Sequence, residues 1–197
     1  MSLPTLIIAT GNEHKLAEFR RILGDRYNLI GLKDLGCVEE IPEEGDTLEA
    51  NARSKALWVK ERYGHDCIAD DTGLMVDALG GEPGVRSARY AGPGHDSAAN
   101  MRLLIERMAE ATDRRARFRT VIALTEGDAM RCFTGTVEGE ILREPCGCGG
   151  FGYDPVFRPE GHELTFAEMD PDAKNAISHR GRATAALLDY LHYHSYS

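Results

Sequence analysis

Residues 68 to 92 read IADDTGLMVDALGGEPGVRSARYAG, and the choice of fold turns on this stretch. The apolar run Cys67-Ile68-Ala69 leads into two adjacent carboxylates, Asp70 and Asp71, followed at once by Thr72-Gly73. A short apolar run of this kind is the pattern of a buried strand, expected here to end at the aspartates and so to present paired negative charge at its carboxyl end. Strand carboxyl ends are where open α/β sheets hold their ligands. Two carboxylates on stiff backbone suit Mg²⁺, which takes oxygen ligands in near-octahedral geometry, keeps several waters and activates one of them. Gly80, Gly81 and Gly84 are expected to let a ligand or another backbone come close. Asp-Asp-Thr-Gly is also the sequence of a turn with an Asp cap, so the decision rests on the flanking chain.

Upstream, Thr5 to Ala9 has the length of a buried strand and stops at Thr10-Gly11-Asn12, after which Leu16, Phe19 and Leu23 recur at helical spacing. Strand, tight turn and helix in that order aim helix N–H groups and the positive end of the helix dipole at a ligand, which makes the junction a candidate phosphate site. Lys15 falls in the first turn, while the spacing and ending of a Walker loop are absent. Tyr27 to Leu32 reads as a second strand, and Cys37 to Gly45 as an acidic loop with Glu39, Glu40, Glu43 and Glu44. Asp46-Thr47-Leu48-Glu49 resembles a capping box with Asp46 as N-cap. The helix it opens buries Leu48, Ala52, Ala56 and Val59 on one face, and the four-residue spacing of Asn51 and Lys55 lets both point at one ligand.

Downstream, Asp96 or Ser97 caps a helix with Met101, Leu104, Ile105 and Met108 on its apolar face. Arg117 to Leu124 and Met130 to Val137 are β-rich runs joined through Glu126-Gly127-Asp128, the pattern of an antiparallel hairpin. Strands of the first half joined by helices, with a hairpin from the second half, predict an α/β fold: a long mixed central β-sheet flanked by helices, as one elongated two-lobed domain over residues 1–197. Gly147 to Asp154, GCGGFGYD, interrupts a dense run of glycines with Phe151 and Tyr153, which suits an aromatic face laid on a flat ligand. Lys174 to Gly181 leads into a last helix with Ala183, Ala186, Leu187, Tyr190 and Leu191, with Ser178 as its N-cap. His179 and Arg180 then stand where the helix dipole disfavours cations, so an anionic or carbonyl-bearing ligand is expected there.

Composition narrows the partners. With 197 residues and 42% hydrophobic content the chain can bury one sizeable core. A net charge of −9 argues against a polymeric nucleic acid, whose binding rests on many Lys and Arg contacts to phosphates. No apolar run approaches the roughly 20 residues needed to cross a bilayer, and Met-Ser-Leu-Pro-Thr is not the start of a signal peptide, so no membrane partner and a cytoplasmic location are expected. Five cysteines, Cys37, Cys67, Cys132, Cys146 and Cys148, form no framework and no zinc spacing.

In chain order, Thr10-Gly11-Asn12 with Lys15, Ala69-Asp70-Asp71-Thr72-Gly73-Leu74 running into Ala78-Leu79-Gly80-Gly81 and Pro83-Gly84, Phe151-Gly152-Tyr153-Asp154-Pro155, and Ser178-His179-Arg180-Gly181 resemble the inosine triphosphate pyrophosphatase family. Its members hydrolyse non-standard purine nucleoside triphosphates. The resemblance implies a homodimer that uses Mg²⁺ to cleave between the α and β phosphates of a small-molecule purine triphosphate. It implies Asp71 as the general base, with Glu43, Asp70 and Asp71 on the metal. By the same resemblance Thr10, Gly11, Asn12, Glu13, His14, Lys15 and Thr72 hold phosphate and sugar, Lys55 and Lys174 add positive charge, and Phe151, Gly152, Tyr153, Asp154, His179 and Arg180 form the base pocket. Ala173 departs from the pattern, which has an acidic residue before the Lys, and Glu40 and Glu44 compete with Glu43 for the metal. Other readings of the same motifs are a septum-formation-type pyrophosphatase with another base preference and a non-catalytic nucleotide sensor. Asp71-Thr72-Gly73 is also the tripeptide of aspartic proteases, but one copy among helical periodicities does not make that all-β fold.

Overall fold

The computed structural model describes residues 3–37, 39 and 41–194. It opens with β1 (Thr5–Ile8), α1 (Glu13–Leu23), β2 (Asn28–Gly31), α2 (Leu48–Tyr63) and β3 (Cys67–Val76), continues through β4 (Pro83–Gly84), α3 (Ser97–Arg107), β5 (Arg115–Glu126), β6 (Ala129–Ile141) and β7 (Phe157–Pro159), and closes with α4 (Pro171–Ile177) and α5 (His179–His194). Seven strands form one sheet in the order β2-β1-β3-β5-β6-β7, with β4 against β3. β1 runs parallel to β2 and to β3, whereas β4 on β3 and β7 on β6 are antiparallel. The expected mixed α/β sheet is therefore what forms.

The chain divides into two compact units, one holding the residues up to Asp71, Thr120–Gly135 and the residues from Gly181 onward, the other Thr72–Arg119 and Thr136–Arg180. In the first, Leu16, Phe19 and Leu23 of α1 pack with Leu6 and Ile8 of β1. Phe19 and Leu23 are fully enclosed, each such side chain stabilising the fold by about 1.5–3 kcal/mol. In the second, Leu104 and Met108 pack with Leu74, Phe118 and Phe157. β5 shows why one strand serves both units: from Arg115 to Arg119 buried and open residues alternate, as on a half-covered sheet, while Thr120 to Thr125 is buried at every position, as on a sheet covered on both faces.

Three expectations change. β3 does not end at the aspartates but continues through Val76, so Asp70 and Asp71 are its fourth and fifth residues. What ends beside them is the parallel pairing, because β1 stops at Ile8, opposite Ile68. Gly80 and Gly81, with φ of 62° and 93° and nothing close to where a Cβ would stand, serve a left-handed turn rather than a close approach; that turn brings Gly84 and Pro83 back onto Leu74 and Met75. The cap of α2 is Thr47, whose side chain accepts from the Ala50 N–H, so Asp46 and Glu49 form no capping box. A short helix over Pro171–Ile177, capped by Asp170 and opened by a proline, escapes a periodicity search because seven residues span barely two turns.

Candidate functional site

In the first unit, α1 is capped as its sequence implies. Asn12 is extended, and its side chain accepts from the N–H groups of His14 and Lys15 at 3.0 and 3.2 Å, while its own N–H donates to Thr10 Oγ1 at 3.2 Å. Gly11, Asn12, Glu13 and His14 are exposed. The Glu13 carboxylate turns away to Lys33 at 2.5 Å, so only its backbone is suited to an anion. Lys15 reaches from the first turn to Asp70, 2.9 Å away.

α2 delivers the neighbouring groups. Its buried face carries Asn51 and Lys55 together, as the four-residue spacing requires. The Asn51 amide accepts from Gly45 N–H at 2.7 Å and donates to Asp71 Oδ2 at 3.1 Å. Lys55 Nζ lies 2.6 Å from Glu43 Oε1 and 3.4 Å from Asp71 Oδ1. Asp71 is only 6% exposed, and Lys55 equally so. Burial pushes the Asp71 carboxyl above the ordinary carboxylate range, against the attraction of Lys55 and Lys15. Burial also disfavours the Lys55 ammonium, but Asp71, Glu43 and Asp70 together outweigh it and raise the Lys55 pKa. The two directions agree because Lys55 faces three carboxylates, whereas Asp71 also feels the like charge of Glu43.

The expected metal ligands are only partly gathered. Successive strand residues leave on opposite faces, and Asp70 and Asp71 take different partners, Lys15 and Lys55. Among the described residues no group of three His, Cys, Asp or Glu side chains is gathered tightly enough to hold a metal ion. Glu43 and Asp71 do converge on one cation, the Lys55 ammonium, and Glu39 pairs with Arg62 instead. Glu40 lies outside the described residues. The donor set still fits Mg²⁺ in chemistry and in charge, because three carboxylates, Glu43, Asp70 and Asp71, meet two ammoniums, Lys15 and Lys55. A buried excess of negative charge is costly without a cation.

The second unit carries the groups expected around a base. Thr72 follows Asp71 on β3, and its Oγ1 accepts from Arg180 Nη2 at 3.1 Å. Asp154 Oδ2 accepts from Phe151 N–H at 2.7 Å and from Lys174 Nζ at 2.8 Å, Asp154 and Lys174 both being buried. The half-buried Phe151 ring has Lys174 Nζ 5.0 Å and the Arg180 guanidinium 5.7 Å from its centre, distances at which a cation is attracted to an aromatic face. His179 stacks on Phe118 with ring centres 4.5 Å apart and planes 15° from parallel. Gly150, with φ of 68°, is required here, since a Cβ would stand 2.1 Å from Asp154 Oδ2.

Tyr153 is not part of this array. It is buried in the hydrophobic core with its hydroxyl donating to Ser87 C=O at 2.8 Å, and burial raises its pKa. Gly152, with φ of 63° and open space at its Cβ position, shapes the turn between Phe151 and Tyr153. Ala173 is exposed on α4, so an acidic residue there would face solvent. Sequence reasoning missed Phe118, the platform for His179, because it reads only as one more aromatic in a strand. It also missed the pairing of Lys15 with Asp70, for which residues so far apart in the chain offer no signal.

The model of the Ham1 family matches residues 6–190. A dITP/XTP pyrophosphatase of Porphyromonas gingivalis is 54% identical over 94% of this chain and 96% of that protein. Another, of Bacillus licheniformis, is 46% identical over 93% and 97%. Among solved structures, the Ham1 protein of Staphylococcus aureus superposes with a TM-score of 0.86 at 39% identity, covering 95% of this chain and 98% of that one. A HAM1 protein of Coxiella burnetii gives 0.87 at 41%, covering 97% and 100%.

Proposed function

Because the chain belongs to the Ham1 family, we propose that it hydrolyses non-standard purine nucleoside triphosphates, those of inosine, deoxyinosine and xanthosine, to the monophosphate and pyrophosphate. The names of relatives up to 54% identical support the substrate class. The observation that carries the chemistry is Asp71, a buried carboxylate of raised pKa oriented by Asn51 and faced by Lys55. A base of this kind is stiff, desolvated and shifted toward the pH at which it works. In our reading Asp71 takes a proton from the water that attacks the α-phosphorus, and pyrophosphate leaves as a unit.

The triphosphate carries about four negative charges, so its hydrolysis rests mostly on positioning and electrostatic stabilisation. Lys15, steadied by Asp70, and the start of α1 are assigned to the phosphates. Glu43 and Asp71 would hold Mg²⁺, with Asp70 adding charge nearby. When bound, the ion supplies Lewis-acid polarisation of phosphate oxygens. Thr72 is assigned to the sugar, and Phe151, Asp154, Lys174, His179 and Arg180 to the base. A homodimer in the cytoplasm completes the proposal; family resemblance supports the first, and the second is supported by five cysteines all present as free thiols. No helix of the described residues is long and apolar enough to cross a membrane.

The test is a panel of nucleoside triphosphates with Mg²⁺ in heavy-oxygen water. Monophosphate carrying the label, and pyrophosphate without it, are expected from the inosine and xanthosine substrates. Label in pyrophosphate, or orthophosphate as first product, contradicts the mechanism. Sedimentation at twice the mass of the chain tests the dimer.

A further inference from the structure

Glu43 and Asp71, the two carboxylates assigned to Mg²⁺, already share a cation. Lys55 Nζ stands 2.6 Å from Glu43 Oε1 and 3.4 Å from Asp71 Oδ1, on a buried side chain. Other contacts keep the two carboxylates near one another. Asp71 Oδ2 accepts from the Asn51 amide at 3.1 Å, and the same Asn51 side chain accepts from Gly45 N–H at 2.7 Å, which ties the loop of Glu43 to Asp71. That loop comes so close that a Cβ on Gly45 would stand 2.7 Å from Asn51 Oδ1 and 2.9 Å from Ala50 Cβ. Asn51 and Gly45 therefore set the spacing of the carboxylates, and Lys55 bridges them.

An ammonium and a divalent ion on the same two oxygens need the same lone pairs and repel one another. Mg²⁺ held by one or two carboxylates ordinarily completes its shell with waters and substrate phosphates. The lysine stem is four flexible carbons, so its charged end can leave while α2 stays in place. We propose that Lys55 is the placeholder cation of this site: in the nucleotide-free protein its ammonium takes Glu43 and Asp71 in place of Mg²⁺, and an arriving triphosphate supplies the oxygens that draw it off. The proposal rests on the assignment of Mg²⁺ to Glu43 and Asp71 and adds the order of events. Metal affinity stays low until nucleotide arrives, and by linkage each ligand then strengthens the other.

The experiment is the binding of Mn²⁺, an oxygen-liganded stand-in for Mg²⁺, to the nucleotide-free chain. It is read by the electron paramagnetic resonance of the free ion at about pH 8, where ordinary carboxylates are ionised. Lys55→Met keeps the length of the stem and removes the charge. It is expected to tighten Mn²⁺ binding by about tenfold or more, whatever it does to hydrolysis. Adding Glu43→Gln to Lys55→Met should abolish that gain. Thermal unfolding supplies a second reading: Mn²⁺ should raise Tm more in Lys55→Met than in the wild type, because the ion replaces the lost counter-charge. Affinity in Lys55→Met equal to or weaker than that of the wild type overturns the proposal, as does a gain that survives Glu43→Gln, which places the ion elsewhere. A Lys55→Met chain that stays unfolded at every Mn²⁺ concentration also overturns it, since the ion then does not replace the ammonium. The metal assignment fails separately, if Glu43→Gln alone leaves the Mn²⁺ requirement of hydrolysis unchanged. The hydrolytic reading fails only if monophosphate and pyrophosphate do not appear.

Discussion

Asp71 is the residue proposed as the general base, and two outcomes follow from its surroundings. Asp71→Asn keeps the shape and the contact with Asn51 but cannot accept a proton, so kcat should fall by about 10²–10⁴-fold with little change in KM. Steady-state kinetics at saturating Mg²⁺ checks this, and near-normal turnover would remove Asp71 from the role. The pH profile gives the second outcome. Burial raises the Asp71 pKa and the base works only when deprotonated, so activity should fall, as pH is lowered, before the ordinary carboxylate range is reached. The Asn51 donor lowers that pKa, so Asn51→Leu should move the acid limb of kcat/KM to still higher pH. A limb that stays put would show that another group sets it.

At the level of elements, caps and helix starts bear on stability and on the proposed selection. Thr47→Ala removes the side-chain acceptor at the start of α2, which should cost about 1 kcal/mol and lower Tm by about 2–4 °C. Calorimetry should show this loss while kcat stays near wild type, because the Asn51 N–H bond to Thr47 C=O that closes the first turn is a backbone bond and is kept. In the proposed base pocket the start of α5 presents mainly donors, from which a 6-oxo base would accept where adenine would oppose donor to donor. One such mismatch is worth about 5–150-fold. Arg180→Ala should therefore reduce the kcat/KM preference for inosine triphosphate over ATP by that order, and an unchanged preference would shift selection to the backbone N–H groups. Much of this arrangement was legible beforehand. The Asn12 cap, the shared face of Asn51 and Lys55, and the hairpin through Gly127 are local patterns, written within a few residues. The length of β3 was not legible, because two aspartates and a threonine in mid-strand look like a turn unless the groups that neutralise them, Lys15 and Lys55, are known to be near. Tyr153 misled for the opposite reason: its neighbours Phe151 and Asp154 face the charged cluster, while its own ring packs inward with its hydroxyl satisfied by Ser87.

For the molecule as a whole, the alkaline range offers a test of how firmly the core excludes charge. Cys67 is fully buried at the start of β3, and burial pushes its thiol up to about 11. The unfolded chain ionises there first, so the stabilisation is complete below the unfolded thiol's pKa and is lost as pH rises toward the folded value. The loss should be on the order of 2–3 kcal/mol. Urea midpoints of the wild type and Cys67→Ala, followed over that window, should converge. Parallel decline would mean that other groups carry the alkaline sensitivity.

Asp71 closes the first segment of one compact unit of the chain and Thr72 opens the other unit. The groups assigned to cutting the anhydride all belong to the first set of segments, and those assigned to the base belong to the second. Random variation confined to residues 136–180 can therefore explore new appetites for nucleobases while the hydrolytic apparatus is inherited unaltered. A lineage, or a laboratory library, can change what it discards from the nucleotide pool without having to rediscover how to discard it.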